Sequence, residues 1–204
     1  MVYPGRALGL APDDPAVRKA VVFVSRTQGG EEAKDYWIGL PDGGFIYSPH
    51  EGGESKAGEF VMPSGEKGLK AYGSMTYAGF LSLVYTGLEK DDPRVQAALD
   101  WIGSHWTLEE NPELGMQGYM YYLMTMGKAL RAYGKPTVVD GQGAEHPWRK
   151  ELSAKLVSLQ RDDGSWINPE AERWYEGNPY LSTPYALVAL DACLAELDQA
   201  EENM

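Results

Sequence analysis

The sequence predicts an all-α chain of about three helical hairpins, and two observations carry that prediction. The first is repetition. Asp13-Asp14-Pro15-Ala16-Val17 returns as Asp91-Asp92-Pro93-Arg94-Val95, and such self-similarity marks a repeat architecture. The second is alternation. Each amphipathic stretch is followed by one that is apolar nearly all round, as an outer helix followed by an enclosed inner helix would be.

Val17, Ala20, Val21 and Val24 fall at i, i+3, i+4, i+7, and Val95, Ala98, Leu99 and Ile102 repeat the spacing. Four apolar side chains then share one helical face. Each copy opens on aspartates and a proline. A carboxylate caps free N–H groups, and proline fits the first helical position, where its missing donor costs nothing. Capping explains these aspartate pairs without a metal or a diphosphate. A third, weaker copy opens at His146-Pro147-Trp148 and carries Leu152, Leu156 and Leu159 as its stripe.

The second helices are expected at about 72–88, 115–133 and 179–197. The middle one reads Met116, Tyr119, Met120, Tyr121, Tyr122, Leu123, Met124, Met126, apolar on nearly every side. Residues 29–71 form a long linker rich in glycine (Gly39, Gly43, Gly44, Gly52, Gly53), and 135–145 a shorter polar one. Long ordered loops often carry function. One domain is expected over 1–197, with a disordered acidic tail at 198–204.

Bulk properties exclude several classes. The chain has 204 residues, 43% hydrophobic, enough for one sizeable core. A net charge of -12 argues against nucleic acid and anionic membranes as partners. Cys193 is the one cysteine, so no internal disulfide forms. It sits in an apolar helical run, as a packed thiol does. No signal peptide is visible at the N-terminus, and no apolar run is long enough to span a membrane, so a soluble chain is expected in a compartment the sequence leaves open.

The ends of the outer helices carry the most specific signal. Lys19-Ala20-Val21-Val22-Phe23-Val24 runs up to Gln28, and Asp42-Gly43-Gly44-Phe45 follows after the inserted stretch 29–41. In the third copy Gln160 precedes Asp162-Asp163-Gly164-Ser165-Trp166. These residues resemble the QW motif of squalene and oxidosqualene cyclases. Gln160, Gly164 and Trp166 match its spacing; Gln28, Gly44 and Phe45 match it around the insertion, with phenylalanine for tryptophan. The second copy has Trp106 where glutamine is expected. The glutamine and glycine are read as structural, bonding free backbone groups and permitting a positive φ.

The chain is thus similar to prenyltransferase/squalene-oxidase repeat proteins of the terpenoid-cyclase and protein-prenyltransferase superfamily. Stretches 71–76 and 174–179 look like theirs as well. The resemblance implies an α/α toroid, two concentric rings of helices around a cavity. It also implies further repeats on the N-terminal side, so a piece of a longer toroid or a half-toroid is expected. Three hairpins alone would leave an apolar edge, which favours pairing with a second copy.

The chemistry of the well-known relatives is not legible here. Hopene-type cyclases carry an Asp-x-Asp-Asp acid, and a cationic cascade needs such a proton donor; this chain lacks the motif. Prenyltransferases hold zinc with Asp, Cys and His, whereas His50, His105 and His146 are scattered and the one cysteine stands alone. No metal and no cofactor are expected, and whether the chain is an enzyme stays open. The remaining candidates lie near the starts of the inner helices: Tyr72, Ser74, Tyr119, Tyr122, Trp174, Glu176 and Asn178, with Asp42, His50 and Lys56 from the long linker. In a toroid they would converge on one end of the cavity, where aromatic faces stabilise carbocations or stack on sugars.

Three readings stand. One is a cyclase-like protein holding an apolar isoprenoid in the cavity. Another is a non-enzymatic scaffold binding a peptide or protein. The third is a carbohydrate-active α/α barrel, which would need Asp42 and Glu176 to oppose each other across a cleft.

Overall fold

The computed structural model describes residue 11 and residues 13–194. Six α-helices dominate them: α1 (Pro15–Ser25), α2 (Gly73–Tyr85), α3 (Pro93–Ser104), α4 (Tyr119–Tyr133), α5 (Trp148–Leu159) and α6 (Pro179–Leu194). The expected acidic tail lies outside the described residues. The protein is mostly α rather than all-α. Two short antiparallel pairs occupy the linkers, β1 (Glu59–Val61) with β2 (Lys67–Leu69) and β3 (Val138–Val139) with β4 (Glu145–His146). Glu59 pairs with Leu69, and a turn closed by Gly65 N–H to the Met62 carbonyl (2.8 Å) sets that register.

The inner helices lie side by side, with α4 between α2 and α6. Burial on α4 runs all round, from Tyr119 and Met120 to Ala132 and Tyr133, which is what a helix between two neighbours requires. Gly127 permits close approach to α6: a Cβ there would already touch the Ala192 methyl at 3.3 Å. The outer helices pack behind, α1 and α3 on α2, α5 on α4 and α6. Between the layers lies one core that includes Phe45, Tyr77, Trp101, Tyr122, Trp148 and Trp166.

Local rules set the outer helices as the sequence requires. Asp14 caps α1 by accepting from Ala16 N–H (2.8 Å), and Asp92 caps α3 by accepting from Arg94 N–H (3.0 Å). The Arg94 guanidinium also reaches Asp92 (2.7 Å) and holds its carboxyl below the usual range. On α3 three of the four predicted stripe residues, Val95, Ala98 and Ile102, are buried in the core, and Leu99 packs against it partly buried. On α1 only Val17 of the four is buried; Ala20 is exposed, and Val22 and Phe23 are each 48% exposed. The difference is one of neighbours: α3 lies against both α2 and the 42–44 loop, whereas α1 packs on α2.

The loop after α1 and the loop after α5 are the same structure. Gln28 Nε2 donates to the Gly43 carbonyl and Gln160 Nε2 to the Gly164 carbonyl, each at 3.0 Å. Asp42 accepts from Gly44 N–H and Asp163 from Ser165 N–H, each at 3.0 Å. Phe45 N–H donates to Thr76 and Trp166 N–H to Thr183, each at 3.1 Å. The inserted stretch 29–41 does not disturb this. Gly29 N–H to the Gly44 carbonyl (2.7 Å) pinches its base, as Arg161 N–H to the Ser165 carbonyl (3.0 Å) does in the other loop.

One residue of the motif is corrected. The counterpart of Gly164 (φ 82°) is Gly43 (φ 83°), while Gly44 stands where Ser165 does. Gly43 is required twice over, since its φ is left-handed and a Cβ would lie 2.2 Å from the Ala97 carbonyl oxygen. Gln28 also bonds the Arg94 carbonyl (2.8 Å), so this loop ties the first hairpin to α3.

Candidate functional site

An α-helix begins with N–H groups that have no intrahelical partner. At the starts of α2 and α4 the N-cap residues Tyr72 and Gly118 supply no side-chain cap. The caps come from the following hairpin instead. Asn111, fully buried in the α3–α4 loop, accepts from Ser74 N–H (2.8 Å) and donates to Ser74 Oγ (3.1 Å). Glu176, in the α5–α6 loop, accepts from Tyr121 N–H (2.9 Å) and Met120 N–H (3.2 Å). Asn168 Nδ2 donates to the same carboxylate (2.9 Å) and to the Met116 carbonyl (2.7 Å). α6 is capped locally: Asn178 accepts from Tyr180 N–H (2.9 Å).

These caps bring the inner-helix starts together around a cavity of about 260 Å³. Tyr47, Tyr72, Tyr121, Tyr185 and Trp174 supply aromatic walls, Met75 and Leu114 aliphatic ones, and Ser74 and Glu176 the polar groups. Tyr121 and Tyr185 meet edge to face at 5.8 Å. Burial pushes the Tyr72 phenol well up, with Tyr121 and Tyr47 adding to the shift, and raises Tyr121 and Tyr185 as well. These phenols therefore stay protonated and neutral. Among the described residues the hydroxyls of Tyr72, Tyr121 and Tyr185 bond to no protein group. The Trp174 indole N–H is covered and has no partner either.

Four of the sequence candidates meet here: Tyr72, Ser74, Trp174 and Glu176. Glu176 is 1% exposed, and its two oxygens are occupied by three donors. Tyr119 and Tyr122 are core residues whose hydroxyls donate to the carbonyls of Leu108 and Thr107. Lys56 sits behind the cavity, 4.5 Å over the Tyr47 ring and paired with Glu54. His50 lies exposed against Phe23, ring to ring at 6.1 Å. Asn178 caps α6. Asp42 lines a different cavity with Trp101 and His105. The two carboxylates that a glycosidase reading needs therefore do not share a cavity.

Sequence reasoning missed Tyr121, Tyr185, Tyr47 and Asn111. The spacing 72, 121, 185 places a tyrosine near the start of each inner helix, a signal visible once the helices are aligned. Cys193 is half-buried, and burial pushes its thiol up to about 11, which suits packing rather than nucleophilic attack. Among the described residues no cluster of His, Cys, Asp and Glu is placed to hold a metal ion. No described helix is long and apolar enough to cross a membrane. Comparison of the chain with protein-family models, with curated proteins and with solved structures gives no match.

Proposed function

We propose that the chain is a ligand-binding segment of an α/α-toroid protein resembling the squalene cyclases and prenyltransferases, holding a short isoprenoid in the tyrosine cavity. The observation that carries this is the combination of aromatic walls with a carboxylate already occupied. Glu176 is the charged group in the cavity that would grip a sugar, and it is committed to a helix cap. What remains are aromatic faces and neutral hydroxyls, which suit an apolar body with one polar end. A volume of about 260 Å³ lies near the lower end of ligand pockets. A short isoprenoid is therefore the ligand proposed.

Geraniol tests the proposal. Titration calorimetry on the full chain is expected to show saturable binding of one geraniol per chain. Methyl glucoside and squalene are expected to give none. Absence of geraniol binding, or equal binding of the glucoside, contradicts the reading.

The expected pairing with a second copy has one observation of its own. α6 presents Tyr180 (90% exposed), Leu187, Val188 and Leu194 on the side away from α4, and α1 presents Val22 and Phe23. These are lateral surfaces of the kind buried between neighbouring helices, so the occupant proposed is a second copy of the chain. Sedimentation is expected to give a dimer, weakened by Leu187→Glu. A monomer at high micromolar concentration contradicts pairing.

A further inference from the structure

The inserted stretch 29–41 and the β1–β2 hairpin build a second cavity, about 280 Å³, against the end of α3. Trp37, Phe60, Leu69 and Trp101 wall it, and Asp42, His105, Lys70 and Glu113 are its charged or titratable groups. Two of these are spent on each other: Lys70 Nζ lies 2.9 Å from Glu113 Oε2. His105 stacks on Trp101 at 3.9 Å, and its Nδ1 lies 2.9 Å from the Trp101 carbonyl. The same Nδ1 lies 2.9 Å from Ser104 Oγ. Asp42 makes no ion pair within 4 Å among the described residues; it accepts from Gly44 N–H, feels the field of His105 and interacts with the Trp101 indole.

Asp163 is the internal control. It occupies the same place in the matching loop and makes the same backbone bond. Exposed to solvent, it is held below the ordinary carboxylate range by Ser165. Burial pushes the Asp42 carboxyl the other way, in spite of the Gly44 N–H. The difference is the insertion, which roofs Asp42 with aromatic and aliphatic side chains. A carboxylate so placed gains most from a cation brought in by a ligand.

We infer that this cavity is a binding site for a small arylalkyl ammonium ion, its cation on Asp42 and its ring among Trp37, Phe60 and Trp101. The ammonium gains a charge-assisted hydrogen bond and aromatic faces at once. The site is independent of the tyrosine cavity and stands or falls separately.

The probe is benzylammonium, titrated into the full chain at neutral pH, with benzyl alcohol as its neutral counterpart. Saturable benzylammonium binding is expected, with the alcohol at least about tenfold weaker, as loss of a charged hydrogen bond implies. Asp42→Asn is expected to weaken benzylammonium by a similar factor and leave benzyl alcohol unchanged. An asparagine oxygen still accepts from Gly44 N–H, so the loop is retained, and the thermal midpoint checks it. If that variant fails to fold, the comparison of ammonium with alcohol on the unaltered chain decides alone. Equal affinity for the two probes, an undiminished Asp42→Asn variant, or no saturable benzylammonium binding overturns the inference.

Discussion

Glu176→Ala is expected to destabilise the protein by about 3 kcal/mol and lower the thermal midpoint by about 6–12 °C. The carboxylate is 1% exposed and accepts from Met120 N–H, Tyr121 N–H and Asn168 Nδ2. Alanine leaves those three donors buried without their acceptor, and each orphan costs about 1–3 kcal/mol. Part of that loss is relieved where water enters the adjoining cavity, which keeps the total near the lower bound. Glu176→Gln is expected to cost less, about 1–2 kcal/mol, because its amide oxygen still accepts while its NH₂ meets a facing donor. Thermal melts of the two variants check this order. A carboxylate kept for chemistry predicts the opposite, a stable Glu176→Ala protein, since removing a strained buried charge relieves the fold.

Trp166→Ala is expected to cost about 3–5 kcal/mol, measured by chemical denaturation. Trp166 is nearly fully buried in the main core, and its indole N–H donates to the Leu156 carbonyl at 2.7 Å. Trp166→Phe is expected to cost only about 1–2 kcal/mol, the hydrogen bond and part of the buried area. Phe45 supports that estimate, since it fills the equivalent place in the first loop and makes the equivalent bond to a threonine. The reverse change, Phe45→Trp, is not expected to be mild. Gly79 already lies so close that a Cβ there would sit 2.1 Å from the Phe45 ring, and a larger ring has no room.

The helices were readable because burial imposes a period on the sequence. The Val95–Ala98–Ile102 stripe and the Asp92-Pro93 start need only neighbours a turn away. The motif loops were readable for the same reason, and the spacing to the aromatic, two places from Gly164 to Trp166 and from Gly43 to Phe45, already marked the glycine with the left-handed φ. Strands of two and three residues are too short to show alternation. The site was harder to read. α4 is apolar nearly all round, so periodicity could not tell that Tyr121 opens on the cavity while Tyr119 and Tyr122 enter the core. Glu176 was found as a polar residue at a conspicuous place, but its role depends on Tyr121, 55 positions away in the chain. A cap supplied across hairpins leaves no local signature.

The central claim is that the tyrosine cavity receives a compact apolar ligand while its buried carboxylate serves the fold. Indole N–H resonances of the labelled protein test it most directly, because the tryptophans report on separate places. Trp174 lines the tyrosine cavity, and Trp37 and Trp101 line the other. On titration with geraniol the Trp174 resonance is expected to shift saturably, with Trp37 and Trp101 unmoved and the Met120 and Tyr121 amides still protected from exchange. A Trp174 resonance that stays in place at saturating geraniol, while another tryptophan moves, would contradict the account.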